Sequence, residues 1–259
     1  MFCSPGRVFL TVFGYQIYYY GILMGTAIIV AVVLANYISK KDYQLDNKIL
    51  DISPSILLSG IIGARFYYCL TDLQFYYKHP LEILDFRNGG LSIHGAILFG
   101  AIALFIECKR HKLDFWKLCD IFAITLPLAQ AIGRWGNFFN SEAFGLPTNL
   151  PWKLYIPIES RPEQYINSSY FHPTFLYESI LDFIIFLILY FGLKNKYKNQ
   201  PGIISAIYLI SYSIVRICIE SIRIDCKAFI LGIPIPIFIS LIIILFSTGF
   251  LIYKHKVTK

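Results

Sequence analysis

Long uncharged runs limit what this chain can fold into. A helix that crosses the hydrocarbon core of a bilayer needs roughly 20 predominantly apolar residues. Seven segments qualify, at about 17–37, 52–71, 91–107, 118–134, 173–193, 203–220 and 229–253. Lipid offers no water to an unpaired backbone amide or carbonyl, so each segment is expected to be helical. The fourth is short and contains Asp120 and Pro127. Only 15% of the 259 residues are charged, where soluble domains carry about 25%. The mean hydropathy is +0.59. The expected fold is an all-α polytopic membrane protein of about seven transmembrane helices, a single domain over residues 1–259 without internal repeats or low-complexity tracts.

The net charge of +7 finds its use in orientation, and no nucleic-acid partner is expected. Thirteen Lys and Arg lie in the connections near 38–51, 108–117 and 194–202 and in the tail: Lys40, Lys41, Lys48, Lys109, Arg110, Lys112, Lys117, Lys194, Lys196, Lys198, Lys254, Lys256 and Lys259. Seven lie on the alternate side: Arg7, Lys78, Arg87, Lys153, Arg161, Arg223 and Lys227. The positive-inside rule then puts the C-terminus in the cytoplasm and the N-terminus outside. Two long connections fall on the outer side, 72–90 and 135–172. Phe75, Tyr76 and Tyr77 in the first, and Trp152, Tyr155, Tyr165 and Tyr170 in the second, suggest outer interfacial loops at the lipid–water boundary. Met1–Phe13 makes a poor signal peptide, with Arg7 followed by too short an apolar run. The cysteines Cys3, Cys69, Cys108, Cys119, Cys218 and Cys226 form no CxxC pair and no zinc spacing with histidine. They read as small apolar helix residues.

Charge within a membrane costs about 2.5–3.5 kcal/mol on insertion scales, so it marks function. Six of the seven spans carry polar residues at one end: Tyr20; Arg65 and Tyr68; His94; Gln130 and Arg134; His172, Tyr177 and Glu178; Arg216, Glu220 and Arg223. Under the assigned orientation every one of these ends is the outer one. This predicts a site near the outer surface. Arg216, Glu220 and Arg223 are spaced i, i+4, i+7 and share a helical face. Two arginines for one glutamate leave positive charge over, which suits an anion. In Asn88–Ala96, small residues flank His94 and allow close approach. His172-Pro173 marks a helix start.

The richest stretch is Gly133-Arg134-Trp135-Gly136-Asn137-Phe138-Phe139-Asn140-Ser141-Glu142-Ala143-Phe144-Gly145. Its glycines permit a non-helical backbone at the membrane exit. A guanidinium matches a phosphate through two parallel charge-assisted bonds, and the asparagines suit ester or glycerol oxygens.

This stretch resembles the signature G-R-x-x-N-F-x-N-x-E-x-x-G of the bacterial phosphatidylglycerol–prolipoprotein diacylglyceryl transferases. Further segments are similar to that family's motifs: Tyr19-Tyr20-Gly21, Gly63-Ala64-Arg65 with Tyr68, Gly89–Gly95, His172-Pro173-Thr174 with Leu176-Tyr177-Glu178, and Arg216/Glu220/Arg223. The chain departs from the pattern at Ala96, at Phe175 and in Leu231–Pro234. The resemblance implies a multi-pass enzyme of the bacterial cytoplasmic (inner) membrane that uses no metal or organic cofactor. Its partners would be phosphatidylglycerol, the lipobox segment of a prolipoprotein signal peptide, and the bilayer itself. The diacylglyceryl group moves to the lipobox cysteine thiol, giving a thioether and glycerol phosphate. On this basis His94, Arg134 and Arg216 are the expected catalytic residues: His94 as base, Arg134 on the phosphate and Arg216 as a second clamp. Tyr20, Arg65, Asn137, Asn140, Glu142, Gly145, Tyr177, Glu220 and Arg223, together with Arg134, are expected to bind substrate. Glu220 would orient Arg216, and Glu142 would orient Arg134 or a glycerol hydroxyl. A transporter is the main rival, but transporters commonly show repeated halves and a midplane site. A non-catalytic scaffold gives no reason for polar groups to gather at one leaflet. A transferase with another lipid donor would use the same arginines.

Overall fold

The computed structural model describes residues 2–85, 89–224 and 229–257. Arg87, Asn88, Cys226, Lys227 and Lys259 of the reading above lie outside the described residues. The fold is mostly helical, and six helices are long and apolar enough to cross a membrane. The chain forms two compact units, one of residues 36–118 and one that combines the preceding residues with 119–259.

In the larger unit a strand pair, β2 (Val8–Val12) and β3 (Tyr15–Tyr18), leads directly into α1 (Tyr19–Tyr43). The helix α5 (Phe115–Asn140) runs six residues past the expected end at 134. The first half of the arginine–asparagine stretch is therefore helical, which corrects the expectation of non-helical backbone there. The turn comes only at Ser141 and Ala143, both at positive φ (52° and 55°). Residues 141–173 and the N-terminal strand together form a small sheet. In it β4 (Leu154–Tyr155) lies between β1 (Phe2–Cys3) and β5 (Tyr170–Phe171). Phe138, Phe144, Leu154, Ile156, Phe171 and Phe175 bury a common core under it. The aromatic content of this connection thus builds a folded element rather than only an interfacial rim.

From this core α6 (Thr174–Leu187) descends, followed by a π-helical turn, Ile188–Leu193, and α7 (Lys194–Tyr197). Then come α8 (Ile203–Glu220), a strand pair β6 (Phe229–Ile230) and β7 (Ile233–Pro234), and α9 (Ile235–Val257). The last helix starts six residues later than expected at 229, because Leu231 and Gly232 at positive φ turn a hairpin first. Asp120, the acidic residue within the expected α5 span, is 1% exposed and well supplied. Its carboxylate accepts from the Gly202 and Ser205 amides and the Ser205 hydroxyl at 2.8, 2.8 and 2.6 Å.

In the smaller unit α2 (Lys48–Thr71) packs on α4 (Ile93–Arg110) through small residues. Gly95 is buried against α2, where an added Cβ would come within 2.5 Å of the Tyr67 Cβ. The short helix α3 (Leu73–Lys78) and a 3₁₀ turn, Pro80–Leu84, connect the two helices. All 18 residues of α4 are helical, with Glu107, Lys109 and Arg110 in its last turn.

Candidate functional site

In the larger unit, polar residues from three helices meet. Glu178 sits in the second turn of α6 with its side chain 4% exposed. It takes Arg134 Nε from the end of α5 at 2.5 Å. It also takes Arg216 Nη1 and Arg223 Nη1, each at 3.3 Å, from the end of α8 and the residues after it. Arg216 in turn reaches Glu220 at 2.6 Å, the i, i+4 pair expected from spacing. Asp182, one turn beyond Glu178, lies 3.9 Å from Arg134 Nε. Three guanidiniums are thus matched by three carboxylates. In formal charge, the expected cationic surplus of the Arg216–Glu220–Arg223 ladder is offset once Arg134, Glu178 and Asp182 are included. What remains is a set of guanidiniums held at a buried carboxylate, Arg216 and Arg223 by hydrogen bonds to Oε1 and Arg134 by an ion pair to Oε2, in a setting where charge-assisted bonds are strong.

A second layer surrounds this cluster. Arg134 Nη2 makes a long contact with the Tyr212 hydroxyl at 3.5 Å. The Tyr208 hydroxyl donates to Gln130 Oε1 at 3.1 Å. Tyr208, Tyr212, Arg216 and Glu220 recur every fourth residue along one face of α8. Tyr212 and Asp182 were missed in the sequence, although this four-residue recurrence and the i, i+4 step from Glu178 both point to them.

Two devices fix the signature stretch. Asn137 and Asn140 each donate an amide N–H to Glu142 Oε1, at 2.9 and 3.3 Å. Glu142 therefore orients the two asparagines rather than Arg134, and both amide carbonyls remain as acceptors suited to hydroxyl groups. After the turn, the Gly145 amide donates to His172 O at 3.0 Å and the Leu146 amide to Ile222 O at 2.9 Å. Thr174 Oγ1 donates to Ala143 O. Gly145 pairs with Arg223 as an isolated bridge. A Cβ on Gly145 would lie 2.8 Å from the Ile222 carbonyl oxygen, so glycine lets the two chain segments close on each other. Gly136 has a similar role, since a Cβ there would meet the Tyr20 ring at 2.6 Å. Tyr20 is thus seated on α5, and its neighbour Tyr19 stacks on Phe139 at 4.0 Å.

Tyr177 is held between two partners. The Trp152 indole donates to its hydroxyl at 2.9 Å, and His172 Nδ1 lies 3.2 Å away. An indole N–H only donates, so the Tyr177 oxygen accepts there and its own proton can go to His172.

The smaller unit carries the other two expected residues. His94 is exposed in the first turn of α4, its ring 6.0 Å from that of Tyr67. The Ser92 amide just before it donates to Ala64 O at 3.0 Å. Arg65 is buried and bonds to main-chain carbonyls: Nε to Ile83 at 2.9 Å, Nη1 to Gly89 and Gly90 at 3.0 and 3.1 Å, and Nη2 to Glu82. The Tyr68 and Tyr76 rings flank it at 5.9 and 5.5 Å. This geometry makes Arg65 a bracket that joins the 3₁₀ turn to the residues before His94.

The family model described as prolipoprotein diacylglyceryl transferase matches residues 7–253. The chain is 44% identical over 229 residues to a phosphatidylglycerol–prolipoprotein diacylglyceryl transferase of a Nostoc species, covering 87% of this chain and 81% of that protein. With a Synechocystis protein of the same name it shares 40% identity over 264 residues, covering 100% and 92%. The corresponding Synechococcus elongatus protein is 43% identical over 228 residues, covering 86% and 79%. With the arginine–carboxylate cluster, the signature stretch and multiple membrane-spanning helices in one chain, the protein belongs to the prolipoprotein diacylglyceryl transferase family.

Proposed function

We propose that the chain transfers the diacylglyceryl group of phosphatidylglycerol to the thiol of a lipobox cysteine. The observation that carries this reading is the gathering of Arg134, Arg216 and Arg223 on Glu178. Phosphatidylglycerol presents a phosphodiester between two glycerols. The arginines suit the phosphate, and the carbonyls of Asn137 and Asn140 suit the free glycerol hydroxyls. The cysteine sulfur forms a bond to the glyceryl carbon while the bond from that carbon to a phosphate oxygen breaks. The electron pair leaves with glycerol phosphate, and the thiol proton passes to a base.

His94 is the proposed base, because imidazole is the side chain suited to proton transfer near neutrality. Arg134 holds the phosphate as negative charge develops, with Arg216 as second clamp. Glu220 and Glu178 set the arginines, and Glu142 sets the asparagines. Tyr20 and Tyr177 order the donor. Arg65 and Gly145 act indirectly, through the bracket and the closure described above. Arg223 contributes a further N–H at the phosphate.

In this reading residues 1–259 are one integral membrane domain with seven spans, α4 being the seventh. The C-terminus is cytoplasmic and the arginine end faces outward. The host is the inner membrane. Family membership leaves the transporter reading without support.

The test is direct. Purified protein, phosphatidylglycerol and a lipobox peptide are combined, and the peptide is weighed by mass spectrometry. A gain of one diacylglyceryl unit on sulfur is expected. An unmodified peptide in the presence of folded protein would refute the function.

A further inference from the structure

A cavity of about 1280 Å³ is lined wholly by residues of the 36–118 unit. One wall is a stripe of α2, Ile62, Phe66 and Leu70, which are 60%, 52% and 46% exposed. Their i, i+4, i+8 spacing puts them on one face, and on a spanning helix an exposed apolar face meets lipid. Leu73 and Tyr77 of α3 and Leu84 of the 3₁₀ turn supply the facing wall. The volume exceeds the roughly 300–1,000 Å³ of common small-molecule pockets.

The charge of the lining is one-sided. Arg65 and Lys78 are its charged side chains, and both are cationic. Asp72 caps α3 through the Phe75 amide at 3.4 Å, and the Glu82 main-chain carbonyl accepts from Arg65. Arg65 contributes a fixed positive field, because its guanidinium is tied to backbone carbonyls. Lys78 is exposed in the last turn of α3, where its stem can lie on apolar surface while the ammonium meets a headgroup. We propose that this cavity binds a phospholipid with an anionic headgroup, an acyl chain along Ile62, Phe66 and Leu70 and the phosphate at Lys78. The site shares no residue with the arginine cluster around Glu178. It also has a structural consequence, because Arg65 ties its wall at Ile83 to Gly89 and Gly90, just before the His94 helix.

The test uses the full-length chain in vesicles and reads binding, so it is independent of the transfer reaction. Phe66→Trp places a fluorophore in the cavity wall, and the unsubstituted chain gives the background of the three native tryptophans. Chain-brominated phosphatidylglycerol and chain-brominated phosphatidylcholine serve as contact quenchers at equal mole fraction. One lysine near a membrane surface is worth about fivefold in preference for an anionic lipid. Phosphatidylglycerol is therefore expected to quench the added tryptophan with about five times the relative affinity of phosphatidylcholine. Lys78→Glu is expected to bring that ratio to about one, and Lys78→Arg to keep it. A ratio near one in the Phe66→Trp chain means ordinary lipid contact and overturns the proposal. A preference that survives Lys78→Glu does the same. Relief of quenching by a lipobox peptide would give the cavity to the precursor and also overturn it.

Discussion

Glu178→Gln removes one charge and keeps the shape of the side chain that three arginines share. A glutamine carbonyl can accept from one guanidinium, and its NH₂ repels the others. Each charge-assisted bond is worth roughly 1.5–3 kcal/mol, but bonds sharing one carboxylate do not add. Removing one partner from a buried ion cluster costs roughly 3–5 kcal/mol. The 4% exposure of the Glu178 side chain and 21% of Arg134 place this cluster among the buried cases. The lower bound, passed to the transition state through a misplaced Arg134, lowers the transfer rate roughly a hundredfold. Transfer to a lipobox peptide is measured by mass spectrometry at saturating phosphatidylglycerol, alongside thermal unfolding in detergent. A fall in kcat is expected, with a lower Tm. An alternative role for Glu178 is to occupy the phosphate's seat. Glu178→Gln would then bind the donor more tightly and keep its turnover, and that outcome refutes the positioning argument.

The other predictions concern single contacts. Arg134→Lys keeps the charge and loses the planar fork, so turnover should fall by about a hundredfold or more; rates equal to the parent would remove Arg134 from the phosphate. His94→Gln should abolish transfer at every pH tested, and full activity across the range would end its assignment as base. Gly145→Ala forces a methyl to 2.8 Å from the Ile222 carbonyl oxygen and should cost about 1–3 kcal/mol, read as a drop in Tm; an unchanged melt contradicts the packing argument. Arg65→Lys cannot serve four carbonyls with one ammonium, so hydrogen exchange at the Ser92 and Ala96 amides should quicken, and unchanged protection would count against the bracket.

The sequence carried some of this structure openly and hid the rest. Apolar length was enough to locate six helices fit to cross a membrane, because lipid enforces that rule segment by segment, while α4, expected as a seventh, carries Glu107, Lys109 and Arg110 near its end and is not among the six. The Arg216–Glu220 pair was visible because helical neighbours four apart must meet. Glu178 is legible in the sequence as a polar residue at a helix start, but its place at the centre of three arginines depends on how α5, α6 and α8 are rotated against one another. No spacing along a single helix reports that rotation. Arg65 is legible only as a polar residue at a span end, because its bonds to the carbonyls of Ile83, Gly89, Gly90 and Glu82 depend on how the following connection folds back on α2. Gly133 and Gly136 suggested broken helix because glycine commonly ends one. In the fold Gly136 clears room for Tyr20, a demand made by another element. The sheet over Phe138, Phe144 and Phe171 was hidden because its strands are two residues long, too short for any alternation to register.

The bonds from Asp120 to Gly202 and Ser205 carry a geometric consequence for the far end of the same two helices. Fourteen residues separate Asp120 from Arg134, and fourteen separate Gly202 from Arg216. At 1.5 Å per residue both arms measure about 21 Å. α5 and α8 thus work like the legs of a caliper, joined at the Asp120 hinge and closed on Glu178 at the tips. The matching backbone lengths bring the two guanidiniums to the Glu178 carboxylate from the same height on both helices.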